Sequence, residues 1–399
     1  LDVSRSPVSP PAGVRSSGFL PELEALRGVA ALLVFAFHAD RYLVMLLEVQ
    51  RVNTRALVTT PWQAFIRSGD TGVTLFFVLS AFLLSLPFLE QARGGRRVQL
   101  GNYARRRALR ILPLYWTLLA ISALYLYIAG SGPPSAMLPY AVFANGIVPG
   151  LRGAGVFTGV VWSLATEAQF YVLLPLLPFV AARPRLAAVL LAVYAVAYAA
   201  WLARLLPGDA VTTFRVAHSV FGRGWVFLAG IGAAWVYQRH GPTLRARAAA
   251  TPWLRNGGSD ALLLVVLLAL GMLLVQVLHV PGPVAAMPPH VVWHLPEGVL
   301  WALVVLIVLL TPLRVKPLLC NRALMGVGVL SYSIYLWHLP VLKYALWPLA
   351  NALGMAPMGW TASGLFVFGV VFVLVLAGST LTYNLIERPF LRRKERVGV

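Results

Sequence analysis

Ten stretches of this chain are apolar and long enough to cross a bilayer, and that repetition constrains the fold more than any other feature of the sequence. They fall at about residues 26–47, 71–89, 108–129, 159–182, 186–206, 218–238, 260–279, 296–313, 324–347 and 361–384. Each meets the requirement of ~17–25 residues for a helix through ~30 Å of hydrocarbon. The expected class is therefore an all-α integral membrane protein of about ten transmembrane helices, multi-pass. Composition agrees: 59% of residues are hydrophobic and 12% charged, where a soluble domain would carry ~25% charged residues.

A net charge of +20 would suggest nucleic acid in a soluble protein. Here the basic residues instead cluster between the apolar stretches, the pattern that orients membrane proteins, and no nucleic-acid partner is expected. With ten spans, 24 of the 33 basic residues fall on one side, and an odd count would scatter them. Both termini are then cytoplasmic. Residues 1–18, rich in Ser, Pro and Arg, read as a flexible cytoplasmic arm, residues 19–391 as the membrane domain and 392–399 as a basic cytoplasmic tail. Pro139 to Gly150 is apolar but too short and too broken to span, so a re-entrant or interfacial piece is expected. Cys320 is the sole cysteine, which excludes an intramolecular disulfide and disfavours a Cys-based zinc site.

Ionisable groups within the apolar stretches are the candidates for chemistry, since each costs ~2.5–3.5 kcal/mol at a helix centre on insertion scales. Arg27 and His38 come first. Eleven residues at ~3.6 per turn return both to one helix face, ~16 Å apart along the axis. With Arg27 at one membrane boundary, His38 lies near the bilayer middle. An imidazole, with an unperturbed pKa of ~6.5, suits a general base there. The pair reads equally as a packing histidine below a topology anchor. Asp40, two residues on, does not share the face of His38 and is not assumed to orient it.

Arg107 and Arg110 are neighbours on a helix face, and two guanidiniums at one spot grip phosphates bidentately. Arg105 and Arg106 beside them fit plain positive-inside anchoring as well. Glu167, a carboxylate inside a span, needs a partner or a proton: it pairs an arginine, orients His38, contacts substrate, or joins helices. The run Ser331 to His338, with Tyr332, Tyr335 and Trp337, lines an acceptor pocket or marks a membrane interface. Arg223 is a further buried-charge candidate. His290, His294 and Glu297 suggest zinc, but Pro288, Pro289 and Pro296 speak against the regular helix that spacing needs, and no metal is expected. The sequence holds no P-loop, GxGxxG or GxSxG, which disfavours ATP-driven transport and serine-hydrolase chemistry.

Taken in order, several motifs resemble the acyltransferase 3 family of bacterial integral-membrane acyltransferases, over about residues 19 to 391. They are Arg27 and His38 with ten residues between; Phe76 through Ser80 to Phe82; Arg107 to Trp116; Trp162 and Ser163 through Tyr171; Arg223 followed by Phe227 and Gly230; Ser331 through His338; and Glu387-Arg388-Pro389. Ala81 departs from the glycine that often follows the serine. The resemblance implies ten core helices and transfer of an acyl group, commonly acetyl, from acyl-CoA to a hydroxyl of a sugar, a cell-envelope glycan or an antibiotic. Carried onto this chain, it puts His38 and Glu167 in catalysis and Arg27, Arg107 and Arg110 at the phosphates of acyl-CoA. Ser80, Trp162, Ser163, Arg223, Tyr332, Tyr335 and His338 are left to bind substrate. The implied partners are acyl-CoA, a hydroxyl-bearing acceptor and the bilayer. No fused extracytoplasmic esterase-like domain is expected, which leaves room for a separate partner protein on the acceptor side. The competing class is a transporter or flippase of an envelope or antibiotic precursor. Against it stand the Arg27–His38 stripe and the lack of an internal repeat.

Overall fold

The computed structural model describes residues 20–49, 65–146, 157–205, 215–278, 293–352 and 362–395, and no strand occurs among them. The main helices are α1 (Pro21–Val49), α2 (Thr71–Ala92), α3 (Leu100–Ile128), α4 (Val161–Leu173), α5 (Pro184–Leu205), α6 (Gly224–Ala250), α7 (Ser259–Leu278), α8 (His294–Leu310), α9 (Arg322–Val329), α10 (Ser331–Val341), α11 (Ala362–Thr382) and α12 (Arg388–Glu395). A helix, or the bent pair α9–α10, lies at each of the ten apolar stretches. Among the described residues six helices are long and apolar enough to cross a membrane, or seven if α9 and Ser331–Leu346, bent by 75° at their junction, form one span. α1 is as long, but it carries Glu22, Glu24, Arg27, Asp40, Arg41 and Glu48. α8 is apolar but only 17 residues long. The arm of residues 1–18 lies outside the described residues.

α2 is the axis of the molecule. It packs against α1, α6 and α8, and 67% of its apolar window is buried, against 6% for α5. The sequence accounts for the contrast. Up to Leu89, α2 is apolar on every face and its polar side chains are small hydroxyls (Thr71, Thr74, Ser80, Ser85), so it can be surrounded. α5 turns Val189, Leu190, Val193 and Val196 outward, as a helix against hydrocarbon does.

α1 and α9 touch backbone to backbone. A Cβ built on Gly28 would stand 2.3 Å from the Leu324 carbonyl oxygen, and one on Gly328 2.0 Å from that of Glu24. Small residues allow such approach between helices that gain nothing by hiding from lipid. The contact fixes α1 at the level of Arg27. The bend that follows α9 starts a new helix at Ser331 and turns Tyr332 and Tyr335 toward the protein interior, both buried.

The described part of the Pro139–Gly150 segment is a series of short turns lying on α3. Tyr115 Oη donates to the Tyr140 carbonyl at 2.7 Å and Trp116 Nε1 to that of Ala141 at 3.2 Å. Residues 147–150 lie outside the described residues. At the other end of the chain, α12 packs on α3. The boundary drawn at 391/392 therefore falls inside a helix.

Candidate active site

A cavity of about 410 Å³ opens between α1, α2, α3, α4, α10 and α12. One part of its wall is cationic: Arg27 from α1, Arg106, Arg107 and Arg110 from α3, and Lys394 from α12. Arg106, Arg107 and Arg110 arrive together because three- and four-residue spacings share a helix face. Arg110 Nη1 pairs with Glu387 at 3.3 Å, and Arg27 reaches Glu24 only at 3.9 Å. Arg107 Nε is buried without a hydrogen-bond partner among the described residues. Glu167 is the one carboxylate in the described wall, where it accepts a hydrogen bond from Ser80 Oγ. The wall thus carries an excess of positive charge.

Further along, the lining is aromatic and hydroxylic. Ser163 and Glu167, four apart on α4, face the cavity together, as do Tyr332 and Tyr335, three apart on α10. Tyr335 Oη donates to the Val160 carbonyl at 3.0 Å and meets Ser163 Oγ at 2.6 Å. Tyr332 Oη donates to the Ile111 carbonyl at 2.7 Å. These bonds leave the tyrosine rings fixed, with the apolar faces of Phe76 and Phe77 also in the wall.

His38 is not in the lining. It stands behind Tyr335, whose ring lies 5.8 Å from that of His338, and His338 Nε2 is 3.2 Å from His38 Nδ1. The hydrogen bonds determine where the protons are. A carbonyl oxygen can only accept, so His38 Nδ1, 3.0 Å from Val34 O, carries hydrogen, and so does His338 Nδ1, 3.1 Å from Ile334 O. In the neutral ring, His338 Nε2 is then a lone pair that accepts from His38 Nδ1–H. His38 Nε2 is left as the basic atom of the pair. Sequence reasoning had paired His38 with no residue firmly. Asp40 bonds Arg67 at 3.1 Å instead, and Glu167 engages Ser80. His338, expected among the acceptor-binding residues, is the residue that touches His38.

Trp162 and Arg223 are not brought to the cavity. The Arg223 guanidinium lies 5.4 Å over the Trp162 ring, 3.4 Å from Thr74 Oγ1 and 3.5 Å from His294 Nδ1. Thr71 donates to Glu297 at 2.6 Å and accepts from Trp301 Nε1 at 2.7 Å. This second polar cluster ties α2 and α8 to the start of α6. It holds His294 and Glu297, while His290 lies outside the described residues. Three participants carry no role in the sequence reading: Arg106 and Lys394, which looked like topology charges, and Glu387, which stood in the Glu387-Arg388-Pro389 motif and is the clamp on Arg110. The signal for the last two was the seven-residue spacing of Glu387 and Lys394, which returns both to one helix face.

Comparison with known proteins bears on this geometry. A family profile described as an acyltransferase domain matches residues 20–383. BcsY of Komagataeibacter xylinus, which carries the name of a membrane-bound transacylase, is 27% identical over 95% of this chain and 84% of its own length. The peptidoglycan O-acetyltransferase OatA of Listeria monocytogenes is 22% identical over 82% of this chain, and the match spans half of OatA. The acyltransferase MdmB of Streptomyces mycarofaciens is 30% identical over 42% of this chain and 40% of its own. No solved structure matches.

Proposed function

The chain belongs to the acyltransferase family matched over residues 20–383, and on that premise we propose that it moves an acyl group, acetyl in the first instance, from acyl-CoA to a hydroxyl of a carbohydrate, an envelope glycan or a glycosylated small molecule. The observation that carries the reading is the cavity: cationic on the side of Arg27, Arg106, Arg107 and Arg110, hydroxylic at Ser163 and Tyr335, and backed there by the His38–His338 pair. Acyl-CoA has the same polarity, with phosphates at one end and a thioester at the other. The acetyl preference and the carbohydrate acceptor lean on OatA, a peptidoglycan O-acetyltransferase.

In this reading the protein spans the inner membrane ten times with both termini in the cytoplasm, and the donor enters from that side. Arg27, Arg107 and Arg110 hold its phosphates, Arg110 being kept in place by Glu387. The pantetheine arm passes Tyr332 and Tyr335 toward His38. His38 Nε2 takes the proton from the acceptor hydroxyl as its oxygen attacks the thioester carbonyl. The C–S bond breaks, the thiolate takes the proton back from the imidazolium, and ester and free CoA leave. The same atom can instead attack the carbonyl and expel the CoA thiolate, giving an acyl-histidine; the acceptor hydroxyl then attacks that carbonyl, the N–acyl bond breaks, and the hydroxyl proton passes to the thiolate. Quench mass spectrometry for acyl-His38 decides between the two. Glu167, fixed by Ser80, balances the charge of the arginine wall and orients the donor. Proximity and orientation lower the barrier by ~7–11 kcal/mol in well-oriented intramolecular reactions.

The test is release of free CoA from acetyl-CoA by the protein in liposomes, with acceptor glycan supplied. The parent should turn over and His38→Ala should lose at least about 100-fold, the lower range for general acid–base catalysis. Equal turnover in both would remove His38 from the chemistry. The bent α9–α10 pair is the feature a transporter would use to line a binding site, and a transporter would consume no acyl-CoA.

A further inference from the structure

Lys394 has no part in the mechanism above, yet it lines the same cavity as Arg27, Arg106, Arg107 and Arg110. It reaches that place on α12, which is clamped to α3 by Glu387. One carboxylate oxygen of Glu387 pairs with Arg110 at 3.3 Å and the other accepts from Ser333. Lys394 follows Glu387 by two helical turns, so it returns to the clamped side of the helix, ~10 Å further along the axis. The charges that face it there are Arg107, Arg110, Arg106 and Arg27. Glu387 is already engaged, and Arg107 Nε is buried without a partner among the described residues. Five cations, Arg27, Arg106, Arg107, Arg110 and Lys394, gather here against three described carboxylates, Glu24, Glu167 and Glu387, and the excess costs repulsion that a bound polyanion relieves.

Depth orders the anion. α11 first packs its Val367 and Val371 in the cluster that holds Leu342 and Leu346, and only at Thr382 reaches Ser333. The chain is thus moving away from His338 as it enters α12. Arg106 precedes Arg110 by about one turn, ~6 Å. Each of Arg106 and Lys394 is thus the cavity-lining cation of its own helix that lies farthest along the axis from the level of His338. In an acyl-CoA with its thioester at His38, the phosphate farthest from the thioester is the one on the ribose 3′ oxygen.

We propose that Lys394 and Arg106 form a subsite for that ribose 3′-phosphate, so that the terminal helix α12 selects a 3′-phosphorylated nucleotide on the donor. The proposal rests on the acyl-CoA reading above and adds to it the part of the donor that the C-terminal helix reads.

Binding is measured by calorimetry on the full chain in nanodiscs, with adenosine 3′,5′-bisphosphate and adenosine 5′-monophosphate as probes. The parent should bind the bisphosphate at least about 10-fold tighter, the size of a charge-assisted contact. Lys394→Gln should cut that ratio to under about 3-fold by weakening the bisphosphate alone, and Lys394→Arg should keep most of it. An unchanged ratio in Lys394→Gln, equal weakening of both nucleotides, or a parent that binds neither overturns the subsite. Acetyl-CoA turnover, run in parallel, separates the two readings. A parent that prefers the bisphosphate but consumes no acetyl-CoA keeps the subsite and loses the donor. A parent that consumes acetyl-CoA with the same KM as Lys394→Gln keeps the donor and loses the subsite.

Discussion

At the scale of single residues, the pairing of His38 with His338 makes a prediction that a packing role does not. His338→Phe keeps an aromatic ring in a site only 1% exposed but removes the acceptor for His38 Nδ1–H. The His38 ring is then held by Val34 O alone. Partners that orient metal-bound histidines are worth 10- to 100-fold, and on that scale kcat should fall by about the same factor while KM for acetyl-CoA stays within about twofold. A rise in KM with unchanged kcat would instead return His338 to substrate binding. The candidate residues legible in the sequence were those whose chemistry is foreign to an apolar helix: Arg27, Arg107, Arg110, Ser80, Ser163, Glu167, Tyr332 and Tyr335 all line the cavity. Their partners were not legible. His38 and His338 are 300 positions apart, and periodicity says which residues share a face but not which face another helix meets. Arg223 and Trp162 are equally foreign to apolar helices, yet they join a separate cluster with His294 and Thr74. Residue type alone does not distinguish the two destinations.

At the scale of helices, the contact between α1 and α9 is the most demanding in the fold. Gly28→Ala would drive a methyl group into the Leu324 carbonyl, 2.3 Å from the ideal Cβ position, with the Leu324 side chain at 3.0 Å and Gly328 N at 3.2 Å closing the other sides. Backbone on both helices cannot yield as a side-chain tip can. Overpacking of this kind costs about 1–3 kcal/mol, which should appear as a lower thermal midpoint in detergent. Gly326→Ala is the control, since nothing stands within 4 Å of its Cβ position. An unaltered midpoint for Gly28→Ala would mean that α1 and α9 slide freely. Apolar length told where helices lie, and a helix or the bent pair stands at each of the ten stretches. It did not reveal the 75° bend before Ser331, because no proline marks the junction. Pro87, Pro113 and Pro242, by contrast, sit inside helices that continue through them.

At the scale of the whole molecule, the basic loops carry an orientation that one natural residue can report. Cys320 is the only cysteine, and it lies between Leu319 and Asn321, in the short stretch from Arg314 to Arg322 that also holds Lys316. If those basic residues face the cytoplasm, a membrane-impermeant maleimide should label Cys320 in inside-out vesicles and not in intact cells. Labelling of intact cells would reverse the orientation, and with it the side from which the donor enters. The overall charge imbalance, 33 basic against 13 acidic residues, needs no nucleic-acid partner. Five of the basic residues line the cavity, and in the proposed topology most of the rest gather at the cytoplasmic face.

The close seating of Gly28 has a consequence for what the molecule can accept. It pins α1 one residue from Arg27, and from there to His38 the helix runs without proline, a stiff span of ~16 Å. On the proposed mechanism this span is a fixed gauge: a donor held at Arg27 would reach His38 only if its anionic head and its carbonyl are separated by the right length of arm. Shorter carriers would stop in front of Tyr335, and longer ones would fold before they arrived. Selection of the carrier by reach leaves the acyl group itself unmeasured along this stretch, so the size of what is transferred must be set on the far side of the histidine pair.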